Sequence, residues 1–282
     1  MSSYKFERGN FNESELEKAV VEIFEQEGYE HIDGEKIPTS EEILLLDDLH
    51  EFILDRYAEE NLSETELQKI TNKISLINST PLYIGNRETF FLVSEGFNLL
   101  RDDISKIALH VEYINFDEPE KNIFKVVTQY SVQGERLRRP DLLIFVNGIP
   151  IVIFEFKSAI REDTTIHDAW EQIYNRYSRD IPRLLKYNFL AVISDGANTK
   201  IGSIFTPYEN FYSWNKMNEF EKVSNGISSL FTCIKGAFAK ERILKIVRDF
   251  IFYPDTENKN LAIVCRYPQF FAATKVFEIE RI

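Results

Sequence analysis

Three charged residues stand at the ends of two apolar runs in the middle of the chain. Asp141 precedes the first run, and Glu155 and Lys157 end the second. Asn147-Gly148, between the runs, is a dipeptide typical of a two-residue β-hairpin turn. Side chains two apart in a strand share a face, so Glu155 and Lys157 point the same way. With the hairpin in register, Asp141 lies across from Glu155.

Two carboxylates that converge at the end of a sheet form an oxygen-rich site suited to Mg²⁺, which favours octahedral coordination and keeps several waters. A neighbouring lysine can orient or deprotonate a metal-bound water, and it adds positive charge where a phosphorane transition state gathers negative charge. The alternative is a set of strand-end charges that reach solvent and pair with each other. Because burying charge without purpose is costly, the arrangement favours a metal site at Asp141 and Glu155.

The segments around the hairpin predict a sheet covered by helices. Strands are expected at 107–114, 123–132, 188–194 and 200–205, and a helix at 165–178. Gln129 can pair with the hairpin strand beside Asp141. A helix, a meander of three or four strands, a helix and a strand in this order predict an α/β domain with a central mixed sheet flanked by helices.

Two helical regions precede the sheet. Residues 12–28 predict a first helix with Asn12 as its cap and glutamates on its outer faces. Residues 40–79 are predicted to be wholly helical and to form a helical pair with Ser40 and Ser63 as caps, packed beside the sheet without chemistry of its own. Leu82–Ile84 is a candidate short strand.

The composition limits the class of protein. With 282 residues, 44% hydrophobic and 28% charged, the chain is expected to form one large globular domain or two ordinary ones. No apolar run approaches the ~20 residues that span a bilayer, and there is no signal-peptide core. Cys233 and Cys265 are too few for a disulfide scaffold or a zinc site, so a reducing cytoplasm is expected.

The net charge of −13 argues against non-specific DNA binding by the whole chain, because phosphate contact relies on Lys and Arg. Basic residues nevertheless flank the predicted metal site. Arg138 and Arg139 precede Asp141, and Arg176 follows the hairpin. They predict a small phosphate-contacting patch inside an acidic exterior, to which other subunits or domains deliver the DNA.

At these residues the chain resembles a known family. Pro140-Asp141 followed by Glu155-Phe156-Lys157 resembles the PD-(D/E)XK nuclease signature. The surrounding sequence resembles the N-terminal part of the R (restriction) subunit of type I restriction-modification enzymes. The resemblance continues through QIYNRYSRD (172–180), SDG (194–196), TPYENFYSW (206–214) and RYPQFFA (266–272). It implies a restriction-endonuclease-like fold over most of the chain.

The resemblance also implies roles for site residues. Asp141 and Glu155 would hold Mg²⁺ with help from the Phe156 carbonyl, and Lys157 would activate or position the attacking water. A glutamate of the first helix would reach the metal site. Glu17 is the candidate because it borders the apolar stripe, and Glu13 and Glu22 remain alternatives.

A Gln–Tyr motif belongs to the same family, usually with three intervening residues. Here Gln172 and Tyr177 have four residues between them. On an α-helix this spacing turns the two side chains to different faces, so Gln172 is expected to pair with Arg176 instead. Gln172 is a candidate for contact with DNA or the metal's surroundings, and Tyr177 is either a DNA contact or a packing residue.

The C-terminal part predicts further segments. A nuclease domain at 1–214, with a helical insertion at 35–80, would be followed by a helical linker at 215–260 with a loop at Asp255–Asn260. Residues 261–282 resemble the beginning of a superfamily 2 helicase, in which Tyr267 and Gln269 would read adenine. No Walker A motif is present. The chain is therefore expected to be a fragment of a longer, ATP-using polypeptide.

Three hypotheses of function remain. The first is the Mg²⁺-dependent endonuclease domain of a type I R subunit, which cuts double-stranded DNA in a complex with methyltransferase and specificity subunits. In the full enzyme ATP-driven translocation accompanies the cut, and the isolated fragment is expected to cut weakly. The second is a non-catalytic assembly module with a nuclease-like fold. The third is a repair or mobile-element nuclease of the PD-(D/E)XK type.

Overall fold

The computed structural model describes residues 13–39, 41–157, 165–218, 228–254 and 260–280. Within these ranges the helices are α1 (Glu13–Gln26), α2 (Leu46–Arg56), α3 (Glu64–Ser75), α4 (Leu82–Glu95), α5 (Ile166–Glu171), α6 (Ser178–Asp180), α7 (Pro182–Leu185), α8 (Ser228–Ala237), α9 (Lys240–Asp249) and α10 (Tyr267–Glu280). A π-helical turn, Gln172–Tyr177, joins α5 to α6. Short 3₁₀ turns lie at Gly34–Lys36, Ala58–Glu60, Pro119–Lys121 and Tyr208–Asn210.

The strands of the same ranges are β1 (Glu30–Asp33), β2 (Phe97–Leu99), β3 (Leu109–Val111), β4 (Phe124–Thr128), β5 (Leu142–Val146), β6 (Ile149–Phe156), β7 (Leu190–Ser194), β8 (Thr199–Gly202), β9 (Ile251–Phe252) and β10 (Ile263–Val264). Six of them form one sheet in the order β1-β4-β5-β6-β7-β8. β1 with β4 and β6 with β7 are parallel, and the other neighbours are antiparallel. The predicted central mixed sheet is confirmed.

Helices cover both faces of the middle strands. Every residue of β5, β6 and β7 is buried, as expected of strands that are apolar on both faces. Phe154 and Glu155 are successive in β6 and so point to opposite faces. The ring of Phe24 in α1 packs edge-on against Phe154 at 5.8 Å. Tyr177, in the π-helical turn, contacts Glu155 on the other face.

The first helix is amphipathic, as predicted. Its buried residues recur at helical spacing and are Leu16, Val20, Ile23 and Phe24. Burial of each such side chain contributes roughly 1.5–3 kcal/mol. Gly28 follows the helix with a φ of +81°, a conformation that glycine adopts without strain. The predicted cap, Asn12, lies outside the described residues.

The central hairpin has the predicted turn, and a β-bulge between Ile144 and Phe145 shifts its register by one residue, which brings Asp141 across from Glu155 as predicted. Val146 pairs with Ile149, which leaves two loop residues, Asn147 at φ 49° and Gly148 at φ 78°. Two successive positive φ angles are typical of a type I′ turn, whose twist matches that of the strands. A Cβ on Gly148 would lie 2.2 Å from the carbonyl oxygen of Leu45, so the turn also needs glycine for close packing.

The predicted helical pair is present as α2 and α3, but the expectation that all of 40–79 is helical is wrong. α2 begins only at Leu46, because the preceding backbone docks onto the hairpin, where the Leu45 N–H donates to the Gly148 carbonyl at 2.9 Å. α2 ends at Arg56, and α3 starts after Ser63. Ser63 forms the predicted cap, as part of a reciprocal capping box with Glu66. Ser40 lies outside the described residues.

Two strand expectations are also corrected, and one strand was not predicted. Leu82–Ile84 forms the first turn of α4, because Pro81 at the cap position favours a helix start. β3 is shorter than the predicted strand at 107–114 and pairs with β2 in a separate two-stranded sheet. β1 was not predicted, because its residues, EHID, lie at the sheet edge and are only partly covered.

The last described segment packs against the nuclease-like sheet. β10 pairs with β9, and the Tyr212 hydroxyl donates to the Val264 carbonyl at 2.9 Å. The Trp214 ring lies 5.5 Å from that of Phe270 in α10. The predicted division into domains stays a prediction, and the loop at 255–259 is outside the described residues. No described helix combines the length and apolar character of a membrane span.

The turn offers a test of the fold. We expect Gly148→Ala to lower the free energy of unfolding by about 3 kcal/mol, because it adds a clash with the Leu45 carbonyl to the strain of a positive φ. Gly196→Ala is the matched control. Its φ is +86°, but the new Cβ would approach only the Leu16 side chain, at 3.4 Å, so a loss of about 1 kcal/mol is expected. Equal losses in urea unfolding would contradict the close packing.

Candidate active site

The two acids of the predicted metal site meet at one end of the sheet. Leu142 pairs with Phe154, so Asp141 and Glu155 occupy the next position of the antiparallel ladder. The Asp141 carboxyl lies within hydrogen-bonding reach of the Glu155 carboxyl. Its Oδ2 also accepts from the Phe156 N–H at 2.6 Å. The two carboxyl groups therefore face one common point.

Lys157 reaches the same point. Its Nζ donates to Glu155 Oε1 at 3.0 Å and to the Phe156 carbonyl at 2.9 Å. The ammonium group thus contacts two of the three oxygen-bearing groups predicted to hold Mg²⁺. Glu155 is only 1% exposed. The Lys157 ammonium group therefore compensates for solvent that the buried Glu155 carboxylate has lost.

Burial dominates the electrostatics of the acid pair. The pKa of Glu155 is raised well above its ordinary value by loss of solvent and, next, by the negative charge of Asp141, while Lys157 acts in the opposite direction. The pKa of Asp141 is also raised, again chiefly by burial, and the Phe156 N–H opposes the rise. Two adjacent buried carboxyls ionise together only with a compensating cation.

Gln172 and Tyr177 both bind Glu155, which corrects the expectation that Gln172 pairs with Arg176. Gln172 Nε2 donates to Glu155 Oε1 and, at 2.7 Å, to the Tyr177 hydroxyl oxygen. The Tyr177 hydroxyl donates to Glu155 Oε2 at 3.1 Å. The reason is the π-helical turn over 172–177, in which residues five apart lie on one face. The extra residue is absorbed by the wider turn.

The first helix approaches the acids with Glu17. Its Oε2 accepts from Gln129 Nε2 at 2.5 Å, and its pKa is raised by burial, with Asp141 among the negative charges nearby. Glu13, one turn earlier, raises the pKa of Asp141. Glu22 is exposed. Glu17 and Glu13 therefore both remain candidates for the first-helix glutamate.

Sequence reasoning missed the part played by Gln129. Its side chain holds Glu17, while its backbone N–H donates to the Asp141 carbonyl at 3.1 Å. Gln129 achieves both at a φ of +53°, a left-handed conformation. No residue pattern identifies such a position in a glutamine, although the predicted pairing beside Asp141 placed it in the right neighbourhood.

The predicted metal ligands are all oxygen atoms, the ligand type that Mg²⁺ takes. Among the described residues, no group of three or more His, Cys, Asp and Glu side chains is arranged to hold a metal. The chain offers two carboxylates, Asp141 and Glu155, and the Phe156 carbonyl. Mg²⁺ is commonly held by one or two carboxylates and otherwise by water and phosphate oxygens.

Comparison with known proteins agrees with this geometry. A family model described as "Type I restriction enzyme R protein N terminus" matches residues 10–210. The chain belongs to this family. Its six-stranded mixed sheet flanked by helices is accordingly the PD-(D/E)XK-like nuclease fold of R-protein N termini.

Curated relatives carry the same name. The HindI endonuclease subunit of Haemophilus influenzae is 23% identical over 283 residues, covering 95% of this chain and 26% of that protein. A Methanocaldococcus jannaschii protein, provisionally named type I restriction enzyme MjaIXP endonuclease subunit, is 29% identical over 77% of this chain and 22% of its own length. The chain spans about a quarter of the length of these relatives.

In this member of the R-protein family, the three arginines predicted to contact DNA differ in exposure and in ion pairing. Arg138 Nε donates to Asp180 Oδ2 at 2.7 Å and is only partly exposed. Arg139 pairs with Glu35 at 2.9 Å on the surface. Arg176 is exposed and has no ion pair with another residue of the described ranges. Arg139 and Arg176 are thus better placed than Arg138 to meet a phosphate.

The residues assigned to adenine recognition have local roles here. Gln269 Oε1 accepts from the Arg266 N–H at 2.8 Å and so caps the start of α10. Tyr267 is half-buried, and its ring lies 6.4 Å from that of Trp214. Nucleotide contact by Tyr267 and Gln269 stays a prediction.

The acid pair predicts a pH-dependent stability. Because the pKa of Asp141 is raised above its ordinary 3.8, the folded chain binds this proton more tightly than the unfolded chain, and stability is lost as the pH rises through and above that value. In EDTA at about pH 7.5, we expect Asp141→Asn to raise the free energy of unfolding by about 1 kcal/mol. The gain should vanish below about pH 3.5.

Thermal melts of both proteins between these pH values measure the difference. Asp117→Asn is the control, because the Asp117 side chain is 90% exposed. A lower melting temperature of Asp141→Asn at neutral pH in EDTA would contradict the claim that the buried, ionised Asp141 carboxyl destabilises the folded chain.

The π-helical turn predicts an unusual tolerance to deletion. We expect removal of the exposed Asn175 to convert the turn to α-helix, with Gln172 and the tyrosine now four apart and again on one face. The melting temperature should stay the same or rise. Deletion of Gln68, exposed in the regular helix α3, should instead cost more than about 2 kcal/mol, because it rotates Ile70 and Ile74 out of the core. Similar losses of stability for both deletions would contradict the prediction that the π-helical turn tolerates removal of one residue.

Proposed function

We propose that this chain is the Mg²⁺-dependent endonuclease domain of a type I restriction enzyme R protein, which hydrolyses phosphodiester bonds of double-stranded DNA. The observation that carries the proposal is the meeting of Asp141, Glu155 and Lys157 at the end of two covered strands. Membership of the R-protein N-terminal family and the names of the relatives support it.

The residues that would hold Mg²⁺ are Asp141 and Glu155, through their carboxylates, and Phe156, through its carbonyl. When bound, the ion would neutralise the two acids, polarise the scissile phosphate and lower the pKa of a coordinated water. Three features support the fit. Both acids have raised pKa values, they face each other, and the Lys157 ammonium already lies against Glu155 and the Phe156 carbonyl.

Side chains of this chain would perform the remaining catalytic and positioning roles. Lys157 would orient the attacking water and stabilise charge on the phosphate. Gln172 and Tyr177 fix both oxygens of Glu155 from one side. Glu17, held by Gln129, would lie beside the site from α1. Arg139 and Arg176 would contact neighbouring phosphates.

The whole protein would supply what this chain lacks. The chain carries 46 acidic against 33 basic residues, so DNA would be brought to the site by other parts of the enzyme. In the full-length R protein, ATP-dependent translocation would accompany cleavage, in a complex with methyltransferase and specificity subunits. Both relatives are named as endonuclease subunits of type I restriction enzymes, which supports the assignment to such an enzyme at the level of the family.

Substitution of Lys157 tests the proposal in the full-length protein assembled with its partner subunits. We expect Lys157→Ala to lower the rate of DNA cleavage at least about 100-fold, because it removes a charge that acts on the transition state. Assembly and DNA-stimulated ATP hydrolysis should persist. The control is Lys121→Ala, since Lys121 is exposed near the opposite end of the sheet, at the start of β4.

Plasmid cleavage and ATP hydrolysis are measured in the same reactions. Unchanged cleavage by Lys157→Ala would overturn the nuclease proposal and favour an assembly module with a nuclease-like fold. Equal loss of cleavage and ATP hydrolysis would show that the substitution damages the complex as a whole, and would also count against a specific catalytic role.

A further inference from the structure

Asp180 joins two parts of the chain that meet at Glu155. It is fully buried, and its side chain accepts from two arginines, Arg138 and Arg179, each at 2.7 Å. Arg138 lies in the loop that leads to Asp141. Asp180 itself ends α6, directly after the π-helical turn that carries Tyr177.

The backbone around Asp180 is fitted to the same loop. The Asp180 carbonyl accepts from the Glu135 N–H at 2.8 Å. A Cβ on Gly134 would lie 2.0 Å from that carbonyl oxygen, so only glycine allows this approach. Val132 and Arg138 pair with each other across the loop at 2.8 and 3.0 Å. The loop is therefore a small closed unit attached to α6 through Asp180.

These contacts close a ring. Arg138 is three residues before Asp141, and Asp180 is three residues after Tyr177. Asp141 and Tyr177 both contact Glu155. The Arg138–Asp180 pair therefore sets the separation between the loop that carries Asp141 and the helix that holds Glu155. The two arginines hold the pKa of Asp180 low, at about 2, with Arg179 the larger cause, so this link stays charged across the working pH range.

We propose that Asp180 is a positioning residue for the nuclease site, which fixes Asp141 relative to Glu155 through its ion pair with Arg138. This inference rests on the proposed function. It assigns Arg138 to positioning and leaves phosphate contact to Arg139 and Arg176. Loss of the link should allow Asp141 to move away from Glu155 and so weaken both metal binding and cleavage.

Asp180→Asn tests the role, because asparagine keeps the shape and still accepts hydrogen bonds but removes the charge that holds Arg138. In the assembled full-length enzyme we expect kcat for cleavage to fall about 10- to 100-fold, the range typical when a group that orients a metal ligand is changed. The KM for DNA and the rate of ATP hydrolysis should be unchanged. The Mg²⁺ concentration for half-maximal cleavage should rise.

A readout that does not depend on cleavage is Mn²⁺ binding to this chain, followed by calorimetry. We expect Asp180→Asn to weaken Mn²⁺ about tenfold. Arg138→Gln should have the same effect, and the double variant should be no worse than either single one, because both remove one link.

Glu66→Gln is the matched control. The carboxylate of the Glu66–Arg101 pair is also buried, with a nitrogen–oxygen distance of 2.8 Å, and the pKa of Glu66 is likewise lowered to about 2. This pair joins α3 to the segment after β2, away from the acids. Glu66→Gln should lower the melting temperature without changing kcat or Mn²⁺ affinity. If Asp180→Asn behaves like Glu66→Gln, Asp180 is only structural and the inference is overturned.

The outcomes also separate this inference from the proposed function. Failure of the proposed function would appear as cleavage that survives Lys157→Ala. Failure of the inference alone would appear as an enzyme that loses cleavage with Lys157→Ala but keeps normal kcat and Mn²⁺ affinity with Asp180→Asn. An additive double variant with Arg138→Gln would likewise contradict action through the ion pair.

Discussion

The burial of two carboxyl groups beside each other is the constraint on which the rest of the site depends. Asp141 and Glu155 lie at the end of strands covered on both faces. Burial raises the pKa of both, and the negative charge of Asp141 raises that of Glu155 further. Such a pair is costly without donors and a cation nearby. The surrounding groups supply them: Phe156 N–H to Asp141, and Lys157, Gln172 and Tyr177 to Glu155.

Much of the central sheet could be predicted from the sequence because its strands are continuous apolar runs bounded by strong turn signals. The hairpin around Asn147-Gly148 and the order of charges at its end follow from local chemistry. Its register does not, because the turn alone would pair Asp141 with Phe154, and a β-bulge between Ile144 and Phe145 brings Asp141 opposite Glu155. β1 could not be predicted, because an edge strand of four mostly polar residues carries no such pattern. Its place is decided by pairing with β4, a contact between distant parts of the chain.

The residues around the acids were harder to predict than the acids. The spacing of Gln172 and Tyr177 suggested different helix faces, and only the tertiary contact of both with Glu155 accounts for the π-helical turn. Gln129 was recognised as a neighbour of Asp141 but not as the partner of Glu17. In each case a long-range contact selects a local conformation that the sequence alone does not favour.

The pairing of β9 with β10 has a mechanical consequence. The backbone that enters α10 is hydrogen-bonded to the strand after α9, and Tyr212, whose own backbone pairs with Ile201 of β8, also binds it. The Ser203 hydroxyl, just beyond β8, donates to the Ala262 carbonyl at 2.8 Å. A force applied to α10 is therefore transmitted directly to the β8 edge of the sheet, two strands from Glu155, and is not taken up by a flexible connection.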